Sequence, residues 1–130
     1  MSEELTSYSA IFGAVIANNR KAMNLEQGEV AERVGLSQAS YSRLESGRSA
    51  FSIDQMFQCA EALGIDPNEL FQQLTTTVGK LQSNSVKVEP QVRGNTSKSK
   101  QENKDNTGVK GFVVGAALTA LIFGLASRGK

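Results

Sequence analysis

Histidine does not occur in this 130-residue chain, and cysteine occurs once, as Cys59. Together these shortages exclude the usual zinc sites and every histidine-based nucleophile or acid–base arrangement. One thiol forms no internal disulfide, which suits a reducing compartment. In QMFQCAEAL that thiol sits at a helical core position, as a structural cysteine does. No catalytic residue, metal or cofactor is expected, and an enzyme is not the reading. Basic residues are also scarce in the first part: residues 1–74 hold five Lys/Arg against ten Asp/Glu, whereas residues 75–130 hold nine against three. The net charge of +1 therefore conceals an acidic front and a basic tail.

What the chain does have is helical patterning. Ile11, Phe12, Val15 and Ile16 recur at helical spacing within Ser9–Met23. In Gln27–Gly47, QGEVAERVGLSQASYSRLESG, two short helices are joined by a tight turn. Val30, Ala31 and Val34 share one face, Gly35 supplies the turn, and Ser37 caps the second helix, which runs to about Ser46 and ends at Gly47. Tyr41 and Leu44 point inward, leaving Gln38, Ala39, Ser42 and Arg43 outward. A fourth helix follows from Ser52 to Leu63, with Gln55 completing a capping box. A fifth opens with Asp66 as cap, Pro67 in the first turn and Glu69 three residues on. Beyond it, Leu70, Leu74, Val78 and Leu81 keep a stripe that fits either an extended helix with a dimer contact or a fraying end.

The Arg20-Lys21 pair ahead of Leu25, Gln27, AERVGLSQASYSRLESG and the closing SIDQMFQCAEALGI stand in the order and spacing of the phage-repressor type of helix-turn-helix, the Cro, lambda repressor and Xre-like regulators, which residues 11–70 resemble. The resemblance implies a five-helix, all-α domain that binds double-stranded DNA as a homodimer or higher homo-oligomer. It places Gln38, Ala39, Ser42 and Arg43 at base edges, where Gln suits adenine, Arg suits guanine and an Ala methyl suits thymine. Gln27 would buttress the recognition helix and touch a phosphate; Ser37, Ser46, Arg48 and Ser49 fall where phosphate contacts or support are expected; Arg20 and Glu45 match an internal ion pair. Two positions depart from the pattern. Glu26 stands where a capping Thr, Ser or Asn is usual and would repel a phosphate, and Phe51 replaces a proline. The acidic front is unusual for a phosphate-binding protein, which puts its carboxylates on a solvated back face.

From Ser83 the composition changes to Ser, Asn, Lys, Gln and Gly, which predicts a flexible basic linker over residues 83–110. Gly111–Ser127 is then a run of seventeen uncharged residues between Lys110 and Arg128. As a helix it would reach about 26 Å, at the short end of a membrane span. Gly111 and Gly115, with Ala116, Ala120 and Gly124, space small residues as membrane helices do where they pack together. No signal-peptide pattern opens the sequence, so this segment is expected to be a tail anchor in membrane lipid, followed by a short tail, 128–130. The linker side carries more Lys/Arg, which sets the domain of residues 1–82 on the cytoplasmic face of the cell membrane.

Three functional readings remain open at this point. The first is a membrane-tethered transcriptional regulator or DNA–membrane anchor. The second is a RodZ-like membrane-anchored module that binds a cytoskeletal or other cytoplasmic protein, favoured by the acidic domain and Glu26. The third is a soluble repressor that oligomerises through its C-terminal helix.

Overall fold

The computed structural model describes residues 4–90 and 112–128. Within these, six helices and two short strands follow the order β1 (Glu4–Ser7), α1 (Tyr8–Ala22), α2 (Gln27–Val34), α3 (Gln38–Glu45), α4 (Ile53–Leu63), α5 (Pro67–Ser83), β2 (Val86–Glu89) and α6 (Gly115–Arg128). Local chemistry sets most boundaries. Ser7, Ser37, Ser52 and Asp66 cap α1, α3, α4 and α5 by accepting amide hydrogens one turn on, and Pro67 opens α5, where a missing N–H costs nothing.

Helix α1 is the central post. Ala10, Ile11, Phe12, Val15 and Ile16 are buried, and α3, α5 and α6 all pack on it. Its crossing with α3 is unusually close. A Cβ on Gly13 would stand 2.5 Å from the Leu44 carbonyl oxygen and 2.7 Å from that of Glu45, both main-chain atoms that cannot swing aside. Phe12 meets Phe51 edge-on at 4.8 Å, so the phenylalanine that replaces the family's loop proline joins the core.

Three expectations need correction. The fold is not wholly α-helical: β1 and β2 form a parallel pair with Glu4, Leu5, Thr6 and Ser7 opposite Val86, Lys87, Val88 and Glu89. The linker therefore does not begin at Ser83. Helix α5 keeps its stripe to Leu81, which is fully buried, and Val86 and Val88 turn inward while Lys87 and Glu89 face solvent. That stripe is used within the chain, because α5 packs on β2 and α6. The rest of the expected linker, 91–110, lies outside the described residues.

The third correction concerns the tail. Gly111–Ser127 does not form one membrane-length helix: Phe112–Val114 is extended, and α6 has 14 residues, about 21 Å at 1.5 Å per residue. Among the described residues no helix is long and apolar enough to cross a membrane. Instead Leu118 is fully buried in the domain core, with Val113, Val114, Leu121 and Ile122 packed against that core. Of the residues expected to pack in lipid, Ala116 and Ala120 are exposed, Gly115 lies against Ser46, Gly124 falls within α6 and Gly111 lies outside the described residues. Apolar side chains on a helix satisfy a protein core as well as a bilayer, and here the core takes Leu118 and its described large neighbours.

Replacing Gly13 by Ala should push α3 off α1 and lower stability by about 1–3 kcal/mol, the usual cost of overpacking. Chemical denaturation of the full chain measures it; a neutral result would show that the crossing gives way freely.

Candidate nucleic-acid interface

Glu45, near the end of α3, is only 6% exposed, yet it is fully satisfied. Oε2 accepts from Arg20 Nε at 2.6 Å and from the Tyr41 hydroxyl at 2.6 Å, while Oε1 accepts from Arg20 Nη2 at 3.0 Å and Gln27 Nε2 at 2.9 Å. Arg20 also donates from Nη1 to the Leu25 carbonyl at 2.9 Å, holding the loop between α1 and α2. One carboxylate thereby ties α1, α2 and α3 together and fixes the roll of α3. Burial works against its charge, but the hydrogen bonds from Arg20, Tyr41 and Gln27 prevail and hold the carboxyl below its ordinary value. The Glu45 hydrogen bond in turn raises the Arg20 guanidinium, and burial together with the Glu45 bond raises the Tyr41 phenol, so both stay donors.

With that roll set, Tyr41 and Leu44 are buried, Gln38, Ala39 and Arg43 are exposed, and Ser42 is half-buried. The expected base-reading residues thus share the open side of α3, Ser42 lying deepest. Ser37 is exposed but its hydroxyl oxygen is engaged as the α3 cap, accepting from Ser40 N at 3.1 Å. Half-buried Gln27 is held by Glu45.

The turn after α3 is built around one carbonyl. Arg43 O accepts from Arg48 N at 2.9 Å, Ser49 N at 3.2 Å and Ser46 Oγ at 3.3 Å, which curls Ser46–Ser49 back on the helix end and leaves Arg48 exposed. Near the other end of α3, an open cleft of about 510 Å³ is lined by Arg20, Lys21, Asn24, Leu25, Glu26, Gln27 and Gln38. Lys21 is the residue the sequence reading passed over. It is exposed on the cleft that Gln38 enters, and its only signal was its place beside Arg20. Glu26 lines the same cleft as the N-cap residue of α2, its amide donating to the Glu29 carboxylate at 2.9 Å. Of the other acids, Asp54, Glu61, Asp66 and Glu69 belong to α4 and the start of α5. Cys59 is buried, and burial with the nearby Glu45 charge pushes its thiol up to about 12, so it is an inert core residue.

Two helices joined by a short turn carry an outward polar face whose roll is held by a buried ion pair, and residues 16–70 match the helix-turn-helix family model HTH_3. Over these residues, less than half of the chain, the match is to the Xre-like type of helix-turn-helix. The chain is 38% identical over 55 residues to the cryptic phage CTXphi transcriptional repressor RstR of Vibrio cholerae, covering 42% of this chain and 49% of that protein. The chain thus spans about half the length of this curated relative. In structure the chain is similar to the clp gene regulator ClgR from Corynebacterium glutamicum, with a TM-score of 0.54 at 18% identity over 78% of this chain and 93% of the other. The wild-type restriction-modification controller protein C.Esp1396I gives a TM-score of 0.54 at 18% identity over 56% and 95%. At such identities the structures attest the helix-turn-helix fold.

Glu45→Gln should leave the Arg20 charge buried without a counter-ion and cost about 3–5 kcal/mol, as breaking a buried pair does. The pH dependence has a definite sign. Glu45 titrates below its ordinary 4.5 in the fold, so its ionised form stabilises the domain above that pH and the contribution fades as pH falls through the lower folded value. Thermal melts from pH 7 to pH 3 should show a shallower acid loss in Glu45→Gln than in the parent chain. Parallel curves would remove Glu45 from its central place.

Proposed function

We propose that this protein is a sequence-specific DNA-binding transcriptional regulator that lays α3 in the major groove. Gln38, Ala39 and Arg43 meet base edges with Ser42 behind them, while Gln27, Ser37, Ser46, Arg48 and Ser49 position the helix against the phosphate backbone. The observation that carries this reading is the exposed face of α3, fixed in roll by the saturated Glu45 carboxylate. The repressor named among its relatives supports it. Such a regulator binds and does not catalyse, and its compartment is the one that holds the DNA.

A second copy of the chain is the partner that fits best. Ile53 and Phe57 lie one turn apart on α4, 67% and 48% exposed, and the Phe57 ring meets Phe71 of α5 edge-on at 5.7 Å. Large side chains so open gain by burial against their symmetry mates. A homodimer would set two α3 helices about 34 Å apart, one turn of duplex. Glu26 on the α3 cleft favours the rival reading, a module that binds a cytoplasmic protein, because a carboxylate beside the base-reading helix repels phosphate.

Selection from a random duplex library with the full chain should enrich a palindromic site. No enrichment, together with specific capture of one protein, would replace the DNA reading with the interaction module. On the enriched site Gln38→Ala and Arg43→Ala should each cost about 1–3 kcal/mol and relax base preference, whereas Arg48→Ala should weaken all sequences alike and lower the salt slope by about one. Glu26→Thr should tighten binding; weaker binding would show that Glu26 does not face the duplex.

A further inference from the structure

The C-terminal segment is built into the domain at a place that bears on the interface. Its extended part lies along β1, opposite β2. Val113 N donates to Leu5 O at 2.8 Å, Thr6 Oγ1 donates to Val113 O at 2.6 Å, and Phe112 bridges Leu5 in parallel. Next, Val114 reaches Gly47, the residue after the α3 cap. A Cβ on Gly47 would lie 3.0 Å from Val114 Cβ and Cγ1 and 3.0 Å from Ala10 Cβ, and its φ of +83° favours glycine in any case. Gly115, at φ +61°, then turns the chain against the Ser46 carbonyl and starts α6, whose Leu118 is fully buried. Gly47 is thus walled in between α1 and the C-terminal segment.

We propose that residues 112–122 are a positioning arm for the phosphate-facing turn Ser46–Ser49. This rests on the DNA reading and extends it to residues far from α3 in sequence. The turn has its own hydrogen bonds, to Arg43 O and from Gly47 N to Leu44 O, and Val114 and Gly115 abut it at Gly47 and Ser46. When the arm is docked, those contacts confine the φ/ψ of Gly47, the most permissive residue of the turn, and Arg48 and Ser49 are presented in one arrangement. When the arm leaves, the turn gains freedom that must be lost again on binding, so affinity falls. Base preference, set at the α3 residues held by Glu45, stays. Val113 and Leu118 anchor the arm, and Val114 is its working contact.

Three full-chain variants separate these roles. Leu118→Glu should expel the arm, and Val113→Pro should do so by removing the N–H that reaches Leu5. Val114→Ala should leave the arm docked while removing the Cγ atoms that abut Gly47, so that the contact narrows to Cβ. Amide hydrogen exchange needs no DNA: in all three variants the Arg48 and Ser49 amides should exchange faster, with the α1–α2–α3 amides still protected. In the first two, the hydrogen-bonded partners on β1 should loosen as well. Binding to the duplex enriched by the parent chain should weaken about 2- to 30-fold, the span of couplings carried through packed networks, with an unchanged order of base preference. If no duplex is enriched by the parent chain, the DNA reading has failed while the exchange data still decide whether arm and turn are coupled. Release of the arm with unaltered Arg48 and Ser49 exchange would overturn the proposal, and so would tighter DNA binding on release, which would make the arm an obstruction. Because Leu118→Glu burdens the core, loss of its α2 and α3 protection passes the decision to Val113→Pro and Val114→Ala.

Discussion

A charge placed in the core without partners costs several kcal/mol, so a buried carboxylate dictates what surrounds it. Glu45 meets that demand with two bonds on each oxygen, taken from α1, α2 and its own helix. Satisfying it requires Arg20 near the end of α1, Gln27 at the first position of α2 and Tyr41 one turn back on α3, and this geometry exists only when the three helices sit as they do. The orientation of the exposed α3 face follows. Gln38, Ala39 and Arg43 face outward because Tyr41, Leu44 and Glu45 are held in. Apolar packing alone tolerates small rotations of a helix, whereas a carboxylate with four directed bonds does not.

Close backbone contact complements the polar lock. At Gly13 the main chains of α1 and α3 approach so nearly that no side chain fits. The two constraints act at the same end of α3, one through hydrogen bonds and one through volume. The N-terminal half of α3 is held by the Ser37 cap, by buried Tyr41 and by packing on α2. That division suits a helix whose C-terminal end anchors it and whose N-terminal end enters a groove.

The chain also closes on itself in a way the helix-turn-helix does not require. Strand β1 runs directly into α1 through Ser7, lies between β2 and the extended Phe112–Val114, and so gathers segments from both ends of the sequence beside the α1 N-terminus. Phe51 N donates to Ser9 Oγ at 2.9 Å, which brings the loop after α3 to the same place. The turn expected to face phosphate is a neighbour of the start of α1 and of Val114 and Gly115 for this reason.

Much of the domain was legible in the sequence because its signals are local. A capping serine or aspartate acts on amides within one turn, a glycine ends a helix where it stands, and the 3.6-residue period of Ile11, Phe12, Val15 and Ile16 marks a face wherever the helix lies. The outward set on α3 and the Arg20–Glu45 pair were likewise legible, the latter through the resemblance. The strands were not: four-residue parallel pairs joined across some eighty residues leave no local mark, and the alternation in VKVE only hinted at one. For the tail, sequence determined only that Gly111–Ser127 is an uncharged, largely apolar run whose large side chains gain by burial. Only the tertiary structure decided where it goes. A bilayer and a protein core reward the same side chains, and what selects the core here is specific seating: α6 packs on α1 and α5 with Leu118 buried, and Val113 bonds the backbone of β1.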